Sequence, residues 1–171
     1  MINSAVSTSI QFVLLILFQV LILNHLEVGF GLYIMVYPLF IFNLPFNLKP
    51  TALMLVAFLI GIIIDSFSNT FGLHASSAVF MAYLRPMVFG WFTPKDSYSN
   101  SDSSPADSLE NNWFFTAYSS LLLFHHAWFF LMESFKLNEL GWILLKIILS
   151  VPCSFLVSLF IQNIFLRKRK S

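Results

Sequence analysis

The sequence predicts an all-α, polytopic membrane protein with six transmembrane helices. Three observations carry that reading. Of 171 residues, 58% are hydrophobic and only 10% are charged, and mean hydropathy is +0.81. A soluble domain of this length carries about a quarter charged residues, so there is too little polar surface to cover a water-exposed globule. Six stretches approach the roughly 20 apolar residues that cross a bilayer. The few ionisable groups inside those stretches fall into layers rather than scattering. The net charge of +1 comes with no basic groove and no aromatic–basic alternation, which argues against a nucleic-acid partner.

The first helix is expected at about 5–23. It has no basic residues before its apolar run and no small-x-small cleavage site after it, so it reads as a retained helix rather than a signal peptide. The second, about 30–44, is short and holds Pro38; it is the weakest of the six and is open to being re-entrant. The third and fourth follow at about 51–67 and 72–92. The stretch 93–112, rich in Ser, Asp, Asn and Pro, lacks the apolar residues needed to order itself and reads as a flexible loop. The fifth helix is expected at about 113–132 and the sixth at about 140–165, with Pro152 near its middle. Proline in the second and sixth removes a backbone hydrogen bond and predicts a kink in each. A basic tail, 167–171, closes the chain. No internal repeat is visible, so the whole chain is taken as one transmembrane domain.

Orientation follows from Lys and Arg near the helix ends. Lys49, Lys95 and the Arg167–Lys170 run lie on the side shared by both termini, and only Lys136 lies in the odd-numbered links. Both termini are therefore expected in the cytoplasm.

Counting ~1.5 Å per residue from each helix start gives the depth of the polar side chains. Gln19, Asp65, His125 and His126 all fall at ~18–21 Å above the cytoplasmic face. Gln11, Asn43 and Arg85 fall near ~10 Å. A charge facing lipid near mid-bilayer costs at least ~2.5–3.5 kcal/mol, so Asp65 is expected to face the bundle interior or a wet cavity. Arg85 is the obvious partner but sits ~10 Å lower; His74 or a histidine of the fifth helix fits by height. Asp65 could also simply end the third helix. Gly61, one turn before Asp65, admits close backbone approach, and Gly72 suits the turn into the fourth helix. His125 and His126 are adjacent and face different sides of a helix, a poor chelating pair beside the i, i+4 spacing that metals prefer. Glu133 and Lys146 are expected to pair near the outer surface. One cysteine, Cys153, excludes an internal disulfide. No nucleophile motif, phosphate loop or paired carboxylates occur, so neither catalysis nor a cofactor or metal is expected.

The block GIIIDSFSNTFGLHASSAVFMAYLRP, Gly61 to Pro86, resembles the signature of the rod shape-determining MreD family, and its HA after Gly-Leu and its Arg-Pro resemble the Bacteroidetes branch. LLLFHHAWFFLMESF in the fifth helix resembles that branch too. The similarity extends over nearly the whole chain, with Gly61, Asp65 and Gly72 matching the family pattern; the acidic Ser/Asp loop departs from it. The resemblance implies a non-enzymatic scaffold of the bacterial inner membrane. It would bind MreC and act with the RodA glycosyltransferase, its partner transpeptidase and MreB filaments in lateral peptidoglycan synthesis and cell-shape control. It also implies a fold similar to the substrate-binding membrane subunits of energy-coupling-factor vitamin transporters. A partner's single transmembrane helix is expected to dock in a groove shaped by Gly61 and Asp65. The alternative reading is a membrane subunit that binds a small, vitamin-like molecule for uptake.

Overall fold

The computed structural model describes residues 2–26, 29, 31–92, 111–135 and 137–163, with 2–9, 11, 111 and 137 described as backbone alone. The basic tail, and all but the last two residues of the expected loop 93–112, lie outside the described residues. Helix α1 spans Ile2–Leu21, α2 Pro38–Asn43, α3 Pro50–Ser68, α4 Leu73–Phe92, α5 Asn111–Ser134 and α6 Leu140–Ile161. Single 3₁₀ turns occupy Leu23–His25 and Leu137–Glu139. Among the described residues there is no strand.

Three of these helices are long and apolar enough to cross a membrane: Pro50–Ser68, Asn112–Ser134 and Leu140–Ile161, with mean hydropathy 2.1, 1.2 and 2.3. Their faces are arranged for an apolar solvent. On α6, Leu144, Ile148, Leu156 and Phe160 point outward, each more than half exposed, while Ser150, Ser154 and Ser158 are fully buried. A helix in water shows the opposite pattern. The chain has the build of a helical membrane protein.

The second segment departs from expectation. It is not a helix over 30–44. Residues 32–36 are extended, and only the six residues of α2 are helical. Prolines set the bounds. Pro38 occupies the first turn of α2, where its missing N–H is no loss, so it starts a helix instead of kinking one. Pro45, two residues past Asn43, cannot continue the helix, and Pro50 opens α3 in the same way. Among the described residues there are therefore five long helices and one broken segment in place of six long helices. Pro152, by contrast, lies inside an α6 that continues to Ile161.

The broken segment nevertheless runs the length of the bundle. Asn24, just past α1, donates to the Ser68 hydroxyl at the end of α3 at 2.7 Å, so α1 and α3 end on the same side. Helix α3 begins ~27 Å away at ~1.5 Å per residue. The chain between Leu26 and Pro50 must cover that distance, first extended and then as α2.

An extended stretch buried among helices leaves its backbone without intrahelical partners. Side chains supply several of them. Gln19 of α1 accepts from Val36 N–H at 2.8 Å and donates to the Ile34 carbonyl at 3.0 Å. From α6, the Ser150 hydroxyl accepts from Tyr33 N–H at 3.1 Å, and Ser154 accepts from Met35 N–H at 2.9 Å. Helix α2 then plugs the centre. Leu39 and Phe42 belong to one apolar cluster, with Val88 and Tyr118; Ile41 joins Tyr37 in the other, with Ile60, Ala78 and Phe129. The Phe42 ring lies 5.2–5.6 Å from the rings of Phe89, Trp113, Phe114 and Tyr118.

Ser154→Ala leaves the buried Met35 N–H unsatisfied and is expected to lower unfolding free energy in mixed micelles by about 1–3 kcal/mol. Ser66→Ala, at an exposed site on α3, is expected to cost under about 0.5 kcal/mol. Equal losses would show that the extended segment does not depend on α6.

Candidate functional site

The α3–α4 hairpin positions Asp65. Helix α3 stops at Ser68; Asn69 follows in the left-handed region (φ 53°), and its N–H returns to the Asp65 carbonyl. Gly72 is also at positive φ (80°), a conformation that a side chain would strain. The reversal brings the start of α4 against α3. At Gly61 the two backbones nearly touch: a Cβ there would lie 2.5 Å from the Ala75 nitrogen, and closer still to Ala75 Cα. One turn on, the Asp65 carboxylate meets the open N-terminus of α4. Oδ1 accepts from His74 N–H at 3.0 Å and from the Thr70 hydroxyl at 2.5 Å; Oδ2 accepts from Ala75 N–H at 2.9 Å. Asp65 is 6% exposed. It thus caps the next helix, where free amides and the helix dipole both favour negative charge. Neither Arg85 nor a histidine ring is its partner.

Arg85 serves another helix end. Its Nε and Nη2 donate to the Phe42 carbonyl at 3.2 and 3.1 Å, and Nη2 also donates to the Leu44 carbonyl. These are the open carbonyls at the C-terminus of α2, where cations are favoured. Arg85 also lies over the Phe89 ring, 4.6 Å from its centroid. Its neighbour in the lower layer, Asn43, donates to Gln162 at 2.7 Å. The Gln11 side chain lies outside the described residues.

The histidines gather around Tyr37. The Tyr37 hydroxyl lies 2.5 Å from His125 Nε2 and 3.3 Å from His74 Nδ1. His126 turns the other way. Its Nδ1 is 2.9 Å from the Leu122 carbonyl, which cannot donate, so Nδ1 carries the proton; Nε2 then accepts from Ser154 at 3.1 Å. The two adjacent histidines therefore face different partners. Among the described residues no three His, Cys, Asp or Glu groups gather to hold a metal. Gln19, Asp65, His125 and His126, expected at one level, are all buried, as is His74. Only Asp65 and the backbone of His74 bond each other directly. Glu133 and Lys146 form the expected ion pair at 2.8 Å.

Two concave sites flank the start of α4. The larger, about 980 Å³, is a groove on the outer face of α3 and α4, lined by Phe58, Ile62, Ser76, Val79, Tyr83 and Trp128 among others, with Asp65 in its wall. Its lining is largely apolar, and Trp128 stacks on Phe80 with centroids 4.4 Å apart. The smaller, about 380 Å³, lies between α1, the extended segment and His74.

Sequence reasoning missed Tyr37 and the serines of α6. The serine spacing, 150, 154 and 158, marks one face of a helix, and all three are buried on it; Ser158 accepts from the Tyr118 hydroxyl at 2.8 Å. Tyr37 carried no signal, since its role depends on the path of the broken segment.

Fold and site together define a helical membrane protein with a buried polar core and a groove on the outer face of α3 and α4. Comparison with protein-family models, with curated proteins and with solved structures gives no match.

Asp65→Leu is expected to speed amide hydrogen exchange at His74 and Ala75 and to cost about 1–2 kcal/mol. Asp65→Asn, which keeps one acceptor, is expected to cost less; unchanged exchange in the leucine variant would remove the capping role. Arg85→Lys keeps the charge but cannot span two carbonyls. A loss of about 1–3 kcal/mol is expected in the same micelle unfolding measurement, and a wild-type value would show that the fork is dispensable.

Proposed function

We propose that the chain is an MreD-type, non-enzymatic scaffold of the bacterial cell-elongation machinery, seating the single transmembrane helix of MreC in the α3–α4 groove. The observation that carries this reading is a coincidence of position. The residues on which the family resemblance rests, Gly61 to Pro86, build the α3–α4 hairpin. Gly61 sets the closeness of the two helices, Asp65 fixes their register, and Gly72 makes the turn. The groove is the outer face of that same hairpin.

Its chemistry suits a helix arriving through lipid. Lipid tails are as apolar as leucine, so helix association there relies on close packing at small residues. Ser66, Gly72, Ala75 and Ser76 provide small residues along the groove, and Phe58, Phe80 and Trp128 provide rings to pack against. Through MreC the scaffold would reach RodA, its partner transpeptidase and, indirectly, MreB.

In this reading the five long helices and the broken segment make six crossings of the inner membrane. An even count places both termini on one side, and the basic residues assign that side to the cytoplasm. The links that follow α1, α3 and α5 then face the periplasm.

Cysteine cross-linking in cells tests the site. Thiols placed at Ser76 and Val79 are expected to capture MreC, while thiols at Leu156 and Phe160, exposed on the far helix α6, capture none. Val79→Trp, which fills the groove away from the Asp65 cap, is expected to abolish MreC co-purification without changing the unfolding midpoint. Capture from α6 alone, or undiminished co-purification with the tryptophan variant, would refute the assignment.

A further inference from the structure

We infer that the smaller cavity is a binding site for an uncharged polar molecule held by His74 through an amide-type group. This does not rest on the scaffold reading, because the cavity lies on the interior side of α4 and the groove on its outer side.

The cavity encloses about 380 Å³ and is bounded by Gln19, Asn24, Tyr33, Met35 and His74, with Leu26, Gly29 and Gly31 around it from the link after α1. Pockets for small molecules start at roughly 300 Å³, and at ~30 Å³ per water this one has room for about a dozen waters.

Most of its polar groups are already used. Gln19 is spent on Ile34, Val36 and Asn24, and Asn24 donates to Ser68. His74 is different. It is 3% exposed, and its Nδ1 faces the Tyr37 hydroxyl. Its Nε2 has no hydrogen-bond partner among the described residues, and the residue lines the cavity. A buried nitrogen without a hydrogen bond is costly unless something in the cavity supplies one.

The chemistry of that partner follows from the Tyr37 hydroxyl, which has one proton and two imidazole neighbours. If Tyr37 donates to His125, then His74 Nδ1–H donates to Tyr37 and Nε2 is a bare acceptor. If Tyr37 donates to His74 Nδ1, then Nε2 carries the proton and is a donor. An amide or lactam offers N–H and C=O side by side and satisfies either arrangement. Among the described residues the lining holds no Asp, Glu, Lys or Arg, and the nearby charges, Lys146 beside Gly31 and Asp65 on the His74 amide, are already engaged by Glu133 and the start of α4, so they offer a charged ligand no free counter-charge.

The test uses the full chain in micelles, labelled with ¹⁵N in its histidine rings, with benzamide as the probe. Benzamide is expected to move the His74 Nε2 resonance saturably and leave that of His126 in place. Benzoate, benzamidine and toluene, close in size, are expected to leave His74 unmoved. In ligand-observed saturation transfer, His74→Asn, which keeps a group near Nδ1 but none at Nε2, is expected to weaken benzamide binding about tenfold. His74→Gln, which restores a group near Nε2, should bind within about threefold of wild type. No shift with benzamide, an equal shift with toluene or the charged analogues, or full-strength binding to His74→Asn would each overturn the inference.

Discussion

The structure depends on one constraint: a backbone that is not helical can pass through an apolar bundle only if other residues bond its amides. In hydrocarbon an unsatisfied peptide group costs several kcal/mol, so irregular backbone is confined to places where protein surrounds it. The amides of Tyr33, Met35 and Val36 meet that condition. Gln19 acts on them like a neighbouring strand, accepting from one amide and donating to a nearby carbonyl, while Ser150 and Ser154 reach in from α6. Each bond ties two distant parts of the chain, so the broken segment also fastens α1 to α6. The apolar plug of α2 works only because this stretch delivers it to the centre.

The charged side chains follow the same rule. Asp65 and Arg85 look like natural partners in a sequence with so few charges. Each instead closes an open helix end: Asp65 the N-terminus of α4, Arg85 the C-terminus of α2. A helix end left open in a buried setting exposes several peptide groups at once, whereas side-chain hydrogen bonds between membrane helices average only ~0.6 kcal/mol. The larger saving comes from satisfying the backbone, and the charges are spent there. Glu133 and Lys146, partly exposed, form an ion pair of their own.

This division explains what the sequence disclosed. The five long helices were legible because length and apolarity are local properties. The Gly61, Asp65, Gly72 pattern was legible as a close-packed turn because glycine has few other uses there. Depth counting placed Gln19, Asp65, His125 and His126 at one level, with His74 a candidate partner by height, and all five are buried. It could not pair them, because pairing depends on rotation about each helix axis, which a count of rise per residue ignores. The second segment misled for a similar reason. A run such as GLYIMVYPLFIFNL is apolar throughout, so periodicity does not separate an extended stretch from a helix. Pro38 was informative, but a proline kinks a helix interior and starts a helix at its first turn. Only the partners on α1 and α6 decide between those two outcomes.

His74 shows how little separates the two concave sites. Its backbone amide is held by Asp65, in the wall of the outer groove, and its ring borders the inner cavity. Gly61 allows no slack behind it, since α3 and α4 are already in backbone contact. Tyr37, wedged between the rings of His74 and His125, is itself carried by the broken segment. The first turn of α4 is therefore fixed from three sides: by the α3 carboxylate, by the glycine contact and by the Tyr37 hydroxyl. Packed interiors move between discrete arrangements rather than deforming smoothly. A shift of this turn large enough to reshape the groove must also break the Tyr37 contact, and one that releases His74 from Tyr37 must disturb the Asp65 cap. The shape of the outer surface is thus set by hydrogen bonds made to an unwound piece of chain at the centre of the bundle.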